Sequence, residues 1–169
     1  MTSSIVAALL SRELRTLQRE LEAYPSDALV WTAPAGLPNT AGTLALHAAG
    51  NLQHFVGAVL GQTGYVRNRD AEFSRRDVPR AELLRELGTA IEVVERVLVA
   101  LPESALEGWY PLPVANRRVR TDEFLVHLAA HLAYHVGQAD YHRRAVTGDK
   151  RGVNAVAPAE LPSATPVDA

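Results

Sequence analysis

Four of the six histidines in this 169-residue chain lie between Thr121 and Val146: His127, His131, His135 and His142. The first three recur every four residues. On an α-helix that spacing stacks side chains on one face, with Cβ atoms about 5–6 Å apart. At about 100° per residue, His127, His131, His135, Gln138 and His142 share an arc of roughly 80°. The other two histidines, His47 and His54, share an arc of roughly 60° with Asn51 on an earlier helical stretch. Both sets flank an apolar stripe. In the later stretch it is Phe124, Leu128, Leu132, Val136, Ala139 and Val146; in the earlier one it is Leu44, Leu52, Phe55 and Val59. A polar ring at the border of a core is costly unless it finds a partner.

Metal binding would supply that partner. Two histidines at i and i+4 can aim both rings at one ion about 2.0–2.1 Å from each nitrogen. His131 and His135 have this spacing, and His47 is the best third ligand from another helix, with His54 as its substitute. Three imidazoles leave a fourth position for water or substrate, the pattern of a catalytic site. Zinc suits such a set, and nickel, iron and copper also accept imidazole. Asn51 and Gln138 could orient a ligand ring or hydrogen-bond a substrate, with His54 and His127 around them. His142 is expected at the surface or beside the site. The competing reading is that these rings and amides are ordinary polar side chains, satisfied by backbone, water or one another.

The elements that must position these residues follow from periodicity. Ile5, Leu9, Leu10, Leu14, Leu17 and Leu21 predict a first helix from about Ser4 to Ala23, stopped at Tyr24-Pro25. A second helix is expected from about Thr43 to Leu60, capped by Thr40 or Thr43 and ended by Gly61 and Gly64. Its Gly50 and Gly57 each weaken it by about 1 kcal/mol relative to alanine, unless close packing or a ligand requires them. Arg67 to Asp77 reads as a solvated, salt-bridged connection with room for a short helical turn. A third helix runs from Pro79 to about Leu101, with Leu83, Leu84, Leu87, Ile91, Val94 and Leu98 inward. Residues 103–120, with Pro111 and Pro113, suit an extended crossover or a short hairpin turning at Asn116-Arg117. Thr121 caps the last helix, Asp122 and Glu123 suit its positive end, and Gly148 ends it. The expected fold is all-α: a four-helix bundle with long crossover connections, one domain over residues 1–148 and a flexible tail over 149–169.

Composition narrows the function. The formal net charge is −2, so no global basic field invites nucleic acid. There is no cysteine, which excludes disulfides, thiolate ligands and a protein-borne thiol nucleophile. No apolar run reaches the roughly 18–20 residues of a membrane span, and the opening does not read as a secretory leader. A soluble, cytoplasmic protein is expected.

The runs HLAAHLAYHVGQADYHRR and LALHAAGNLQHF together resemble the DinB-like family of four-helix-bundle metalloproteins. That family's pattern is a histidine in the second helix, then His-x-x-x-His followed by Gly-Gln in the last. In this chain those positions are His47, His131, His135, Gly137 and Gln138. RNRDAEF, residues 67–73, is similar to a motif of one branch of the family. The resemblance covers about residues 5–148. It implies a divalent metal, zinc or nickel, on His47, His131 and His135, and a homodimer. It also implies either a thiol-dependent S-transferase or an isomerase. Because the chain has no cysteine, a thiolate would have to come from a bacterial low-molecular-weight thiol such as mycothiol or bacillithiol, with a small-molecule substrate. A metal-dependent hydrolase and a non-catalytic metal-binding stress protein are the alternatives. Arg67, Arg69, Arg117, Arg118 and Arg120 could bind carboxylates of the thiol, or be solvated loop charges.

Overall fold

The N-terminal leucine repeat forms helix α1, Ser3–Glu22, and buries Leu10, Leu14, Leu17 and Leu21 completely. The structure is a computed structural model that describes residues 3–167. Residues 1–2 and 168–169, included in the expected domain and tail, lie outside the described residues. A short helix α2, Asp27–Val30, follows the Tyr24-Pro25 stop. Trp31 then anchors the loop: its indole N–H donates to the Val78 carbonyl at 3.0 Å. A Cβ at Gly42 would fall 2.5 Å from that indole ring.

Helix α3, Ala41–Leu52, is capped by Thr40, whose hydroxyl accepts from the Thr43 amide. It continues without interruption into a π-helical stretch, Gln53–Leu60, where a single α-helix was expected. The apolar pattern does not distinguish the two windings. The stretch lies against the third long helix, α5, Arg80–Ala100. A Cβ at Gly57 would come within 2.8 Å of Val93 Cγ1. Gly57 therefore serves close helix contact, the reason for which a glycine is tolerated there.

The charged connection contains helix α4, Arg69–Ser74, capped by Asn68 Oδ1 accepting from the Ala71 amide. Helix α6, Glu103–Leu106, begins the long crossover. The remainder closes through isolated bridges pairing Trp109 with Arg120 and Val114 with Arg117. The tight turn falls on Ala115 and Asn116, with φ of 47° and 59°. Positive φ at both central residues is the hairpin-turn geometry, one residue earlier than expected. Helix α7, Thr121–Thr147, carries the four clustered histidines and ends at Gly148 with φ 70°, the left-handed cap that glycine adopts without penalty. Arg120, not Thr121, occupies the N-cap position. The Thr121 amide instead donates to the Gly108 carbonyl.

All regular structure among the described residues is helical, without strands. Helix α1 packs on α5 and α7, and α3 packs on the same two. Helices α1 and α7 run parallel, because Glu20 near the end of one pairs with Arg143 near the end of the other. Helices α3 and α7 run antiparallel: His47 meets His131 and His135, while Phe55 meets Phe124. The core between them is aliphatic, with Leu83, Leu87, Leu98, Leu125 and Leu128 fully or almost fully buried. No described helix is long and apolar enough to cross a membrane. After Gly148 the chain lies back on α7 and α1. Arg143 Nη2 donates to the Arg151 carbonyl at 2.8 Å and Arg19 Nε to the Val153 carbonyl at 3.0 Å.

Candidate metal centre

The antiparallel contact of α3 and α7 brings His47, His131 and His135 together. One ring nitrogen from each lies within 4.8 Å of the other two. His131 Nε2 is 3.0 Å from His135 Nε2 and 3.5 Å from His47 Nε2. Two nitrogens bound to one ion at about 2.0–2.1 Å in tetrahedral geometry sit about 3.4 Å apart, so these separations suit a shared ion.

The outer nitrogens fix the tautomers. His47 Nδ1 lies 2.9 Å from Glu72 Oε2. An ionised carboxylate only accepts, so Nδ1 carries the proton and Nε2 presents its lone pair. His135 Nδ1 donates to Gln138 Oε1 at 2.7 Å, and its Nε2 is likewise left as a lone pair. Both lone pairs face His131 Nε2, which has at most one N–H to give. One of the two pairs therefore faces a nitrogen that offers it nothing. A cation in their midst satisfies all three, and the outer bonds to Glu72 and Gln138 are those that orient metal-bound imidazoles.

The site favours the neutral form of His131 and His135. Burial lowers the His131 pKa to about 4, assisted by the neighbouring imidazoles of His135, His47 and His127 and by Arg67. Burial also lowers His135, and the Gln138 bond offsets only part of that. A neutral imidazole is the form that binds metal.

Glu72 is the residue that sequence reasoning missed. It is buried, on the inward side of α4. Arg67 grips its carboxylate with Nε to Oε1 at 2.7 Å and Nη2 to Oε2 at 2.8 Å. Burial by itself would raise the Glu72 pKa; the His47 hydrogen bond and the Arg67 guanidinium outweigh it, and the net shift is downward. Gly50 makes room for this carboxylate, since any Cβ there would collide with Glu72 Oε1. The sequence signal was the family-like RNRDAEF segment together with an unexplained glycine in a helix.

The other candidates lie around the triad. Phe73 packs on His47 with centroids 4.8 Å apart, and the Arg69 guanidinium lies 4.9 Å from the Phe73 centroid. His127 is exposed and stacks between Phe124 and His131, outside the three-histidine cluster. His54 lies beside Phe55, its Nδ1 buried without a hydrogen-bond partner. Burial and then Arg67 lower its pKa. Asn51 is buried one turn beyond His47 and bonds to none of the three histidines. His142 departs from expectation. It is fully buried away from the triad, with Nε2–H donating to the Thr32 carbonyl and Nδ1 accepting from the Tyr24 hydroxyl, both at 2.7 Å. Helix α7 runs past the site, so its last histidine meets the loop after α1 instead. Arg118 and Arg120 lie over Trp109, at 4.8 and 6.0 Å from its centroid, on the crossover hairpin.

Comparison with known proteins adds the family. Residues 5–148 match the family model described as Mycothiol-S-transferase, which falls within the DinB-like superfamily. Neither the comparison with curated proteins nor that with solved structures gives a match. The match covers the four long helices, but for the first two residues of α1, and every residue of the histidine cluster, and the chain belongs to the mycothiol-S-transferase family.

Proposed function

We propose that this protein is a metal-dependent S-transferase that couples mycothiol, through its sulfur, to a small electrophile. The observation that carries this reading is the convergence of three imidazoles from α3 and α7 in a chain without cysteine. His47, His131 and His135 are the proposed ligands, with zinc or nickel as the metal. Such an ion supplies charge that lowers the pKa of a thiol held against it.

The residues of the chain do the rest. Glu72 and Gln138 hold two ligand rings in one tautomer, and Arg67 holds Glu72. Phe73 packs against His47 at the site's edge, and Phe124 against His127 beside it. The thiol loses its proton to water. Its sulfur then donates an electron pair to the electrophilic carbon, a C–S bond forms, and the leaving group departs with the pair from the broken bond. We read the four long helices as a four-helix bundle, and the protein as a cytoplasmic homodimer in line with its resemblance.

The test is conjugation of a haloalkyl dye with mycothiol, bacillithiol, glutathione or cysteine. The reading expects turnover that needs mycothiol and is lost with the metal. Thiol-independent ester cleavage would replace it with a hydrolase. Bound metal with no turnover of either kind would replace it with a binding protein.

A further inference from the structure

Helix α7 carries metal-ligating side-chain types at consecutive four-residue steps: Glu123, His127, His131 and His135. Each step advances about 6 Å along the axis and turns about 40° around it. The row therefore winds from solvent toward the contact with α3. Glu123 and His127 are exposed, and His131 and His135 are half-buried. Neither the Glu123 carboxylate nor either ring nitrogen of His127 has a hydrogen-bond or ion-pair partner among the described residues.

His131 is the member of the cluster whose outer nitrogen is unanchored. His47 Nδ1 is tied to Glu72 and His135 Nδ1 to Gln138. His131 Nδ1 has no protein partner and is not sealed from solvent. Turning the His131 ring thus breaks no hydrogen bond outside the cluster, whereas turning either of the others gives up an acceptor. Its outward neighbour is His127, with ring centroids 6.0 Å apart and planes 24° from parallel. Phe124 backs His127 on the other side, 5.8 Å away and 15° from parallel. His127 is held beside the unanchored ligand with its own nitrogens free.

Resting on the metal reading of His47, His131 and His135, and not on the transferase chemistry, we propose that this row is the route by which a divalent cation enters the site. Glu123 draws the hydrated cation to the start of α7. His127 and His131 take it as a pair, since two histidines at i and i+4 grip one ion from the same side of a helix. His131 then turns inward and delivers it to His47 and His135. An imidazole beside the final site raises the local concentration of the ion there. His127 is a ligand in transit only: it lies outside the three residues whose nitrogens close on one point.

The experiment measures loading rather than turnover. Metal-free full-length protein is mixed with cobalt(II) by stopped flow, and the visible absorbance of the imidazole-bound ion reports uptake. Release is timed with excess chelator. His127→Phe keeps a ring in the stack without a ligating nitrogen; His127→Asp loses the ring and keeps a ligating atom. The proposal expects association and dissociation to slow together in His127→Phe, by about tenfold or more, with the equilibrium affinity unchanged. His127→Asp loads near the wild-type rate. Glu123→Gln slows association and flattens its dependence on salt. Wild-type loading in His127→Phe overturns the route, as does equally slow loading in His127→Asp. Weaker equilibrium binding in His127→Phe with unchanged association makes His127 a resident ligand and also overturns it. If the wild-type chain takes up no ion, the metal reading falls and the route with it. Ion uptake along this route without turnover of any thiol leaves the route standing and removes the transferase.

Discussion

His47 and Glu72 are 25 residues apart in sequence and 2.9 Å apart in space, ring Nδ1 to carboxylate Oε2. Arg67 holds the same carboxylate through two hydrogen bonds. Helix α4 therefore exists, in functional terms, to deliver one acceptor to the back of one imidazole. Carboxylate partners of this type raise ligand basicity and fix ring orientation.

Replacing Glu72 tests that role. Glu72→Gln is expected to weaken metal affinity about 10- to 100-fold, the usual cost of losing such a partner, and to leave the fold intact. Competition against a chelator of known affinity, with circular dichroism as the control, measures it. Wild-type affinity in the variant would show that His47 does not depend on Glu72.

Gly50 is coupled to the same carboxylate. Alanine in a helix interior normally stabilises by about 1 kcal/mol over glycine. Here the new Cβ would collide with Glu72 Oε1, and overpacking costs about 1–3 kcal/mol. Gly50→Ala is therefore expected to lower both thermal stability and metal affinity. A more stable variant with unchanged metal binding would contradict the packing described.

The Glu20–Arg143 pair joins α1 to α7 at 2.5 Å, with both side chains essentially inaccessible. Arg143→Met leaves a buried carboxylate unpaired and is expected to destabilise the protein by about 3–5 kcal/mol. Adding Glu20→Leu should recover most of the loss. Denaturant unfolding of both variants decides it; an additive second loss would refute the pairing argument.

The histidines give acid sensitivity of a definite sign. His142 is lowered from 6.5 by burial, with the Thr32 bond opposing, and His131 is lowered to about 4. A depressed folded pKa means that the unfolded chain takes up the proton first. The stabilising contribution is thus complete above pH 6.5 and is lost as pH falls toward 4. Metal-stripped protein should show a falling thermal midpoint across that window, with a shallower fall in His142→Asn. A midpoint that rises on acidification would contradict the assignment.

The parts of this arrangement that follow from periodicity were legible in the sequence. The leucine spacing located α1 and α5, and the four-residue histidine spacing with His47 on a second amphipathic stretch located the cluster. Glu72 was not legible, because α4 has too few apolar residues to show which way it faces. Its direction is settled by Gly50, on another helix. The π-helical stretch was hidden because its apolar pattern reads equally as α. His142 shares the histidine arc of α7, yet its partners Tyr24 and Thr32 come from a loop whose path no local pattern reveals.

The central claim is that His47, His131 and His135 hold one metal ion. X-ray absorption of protein purified without a histidine tag, beside His47→Ala and His131→Ala, tests it most directly. The expected result is about one ion per chain with imidazole nitrogens at about 2.0–2.1 Å, and loss of that ion in both variants. Wild-type metal content in both variants, or a spectrum without imidazole ligation, would contradict it.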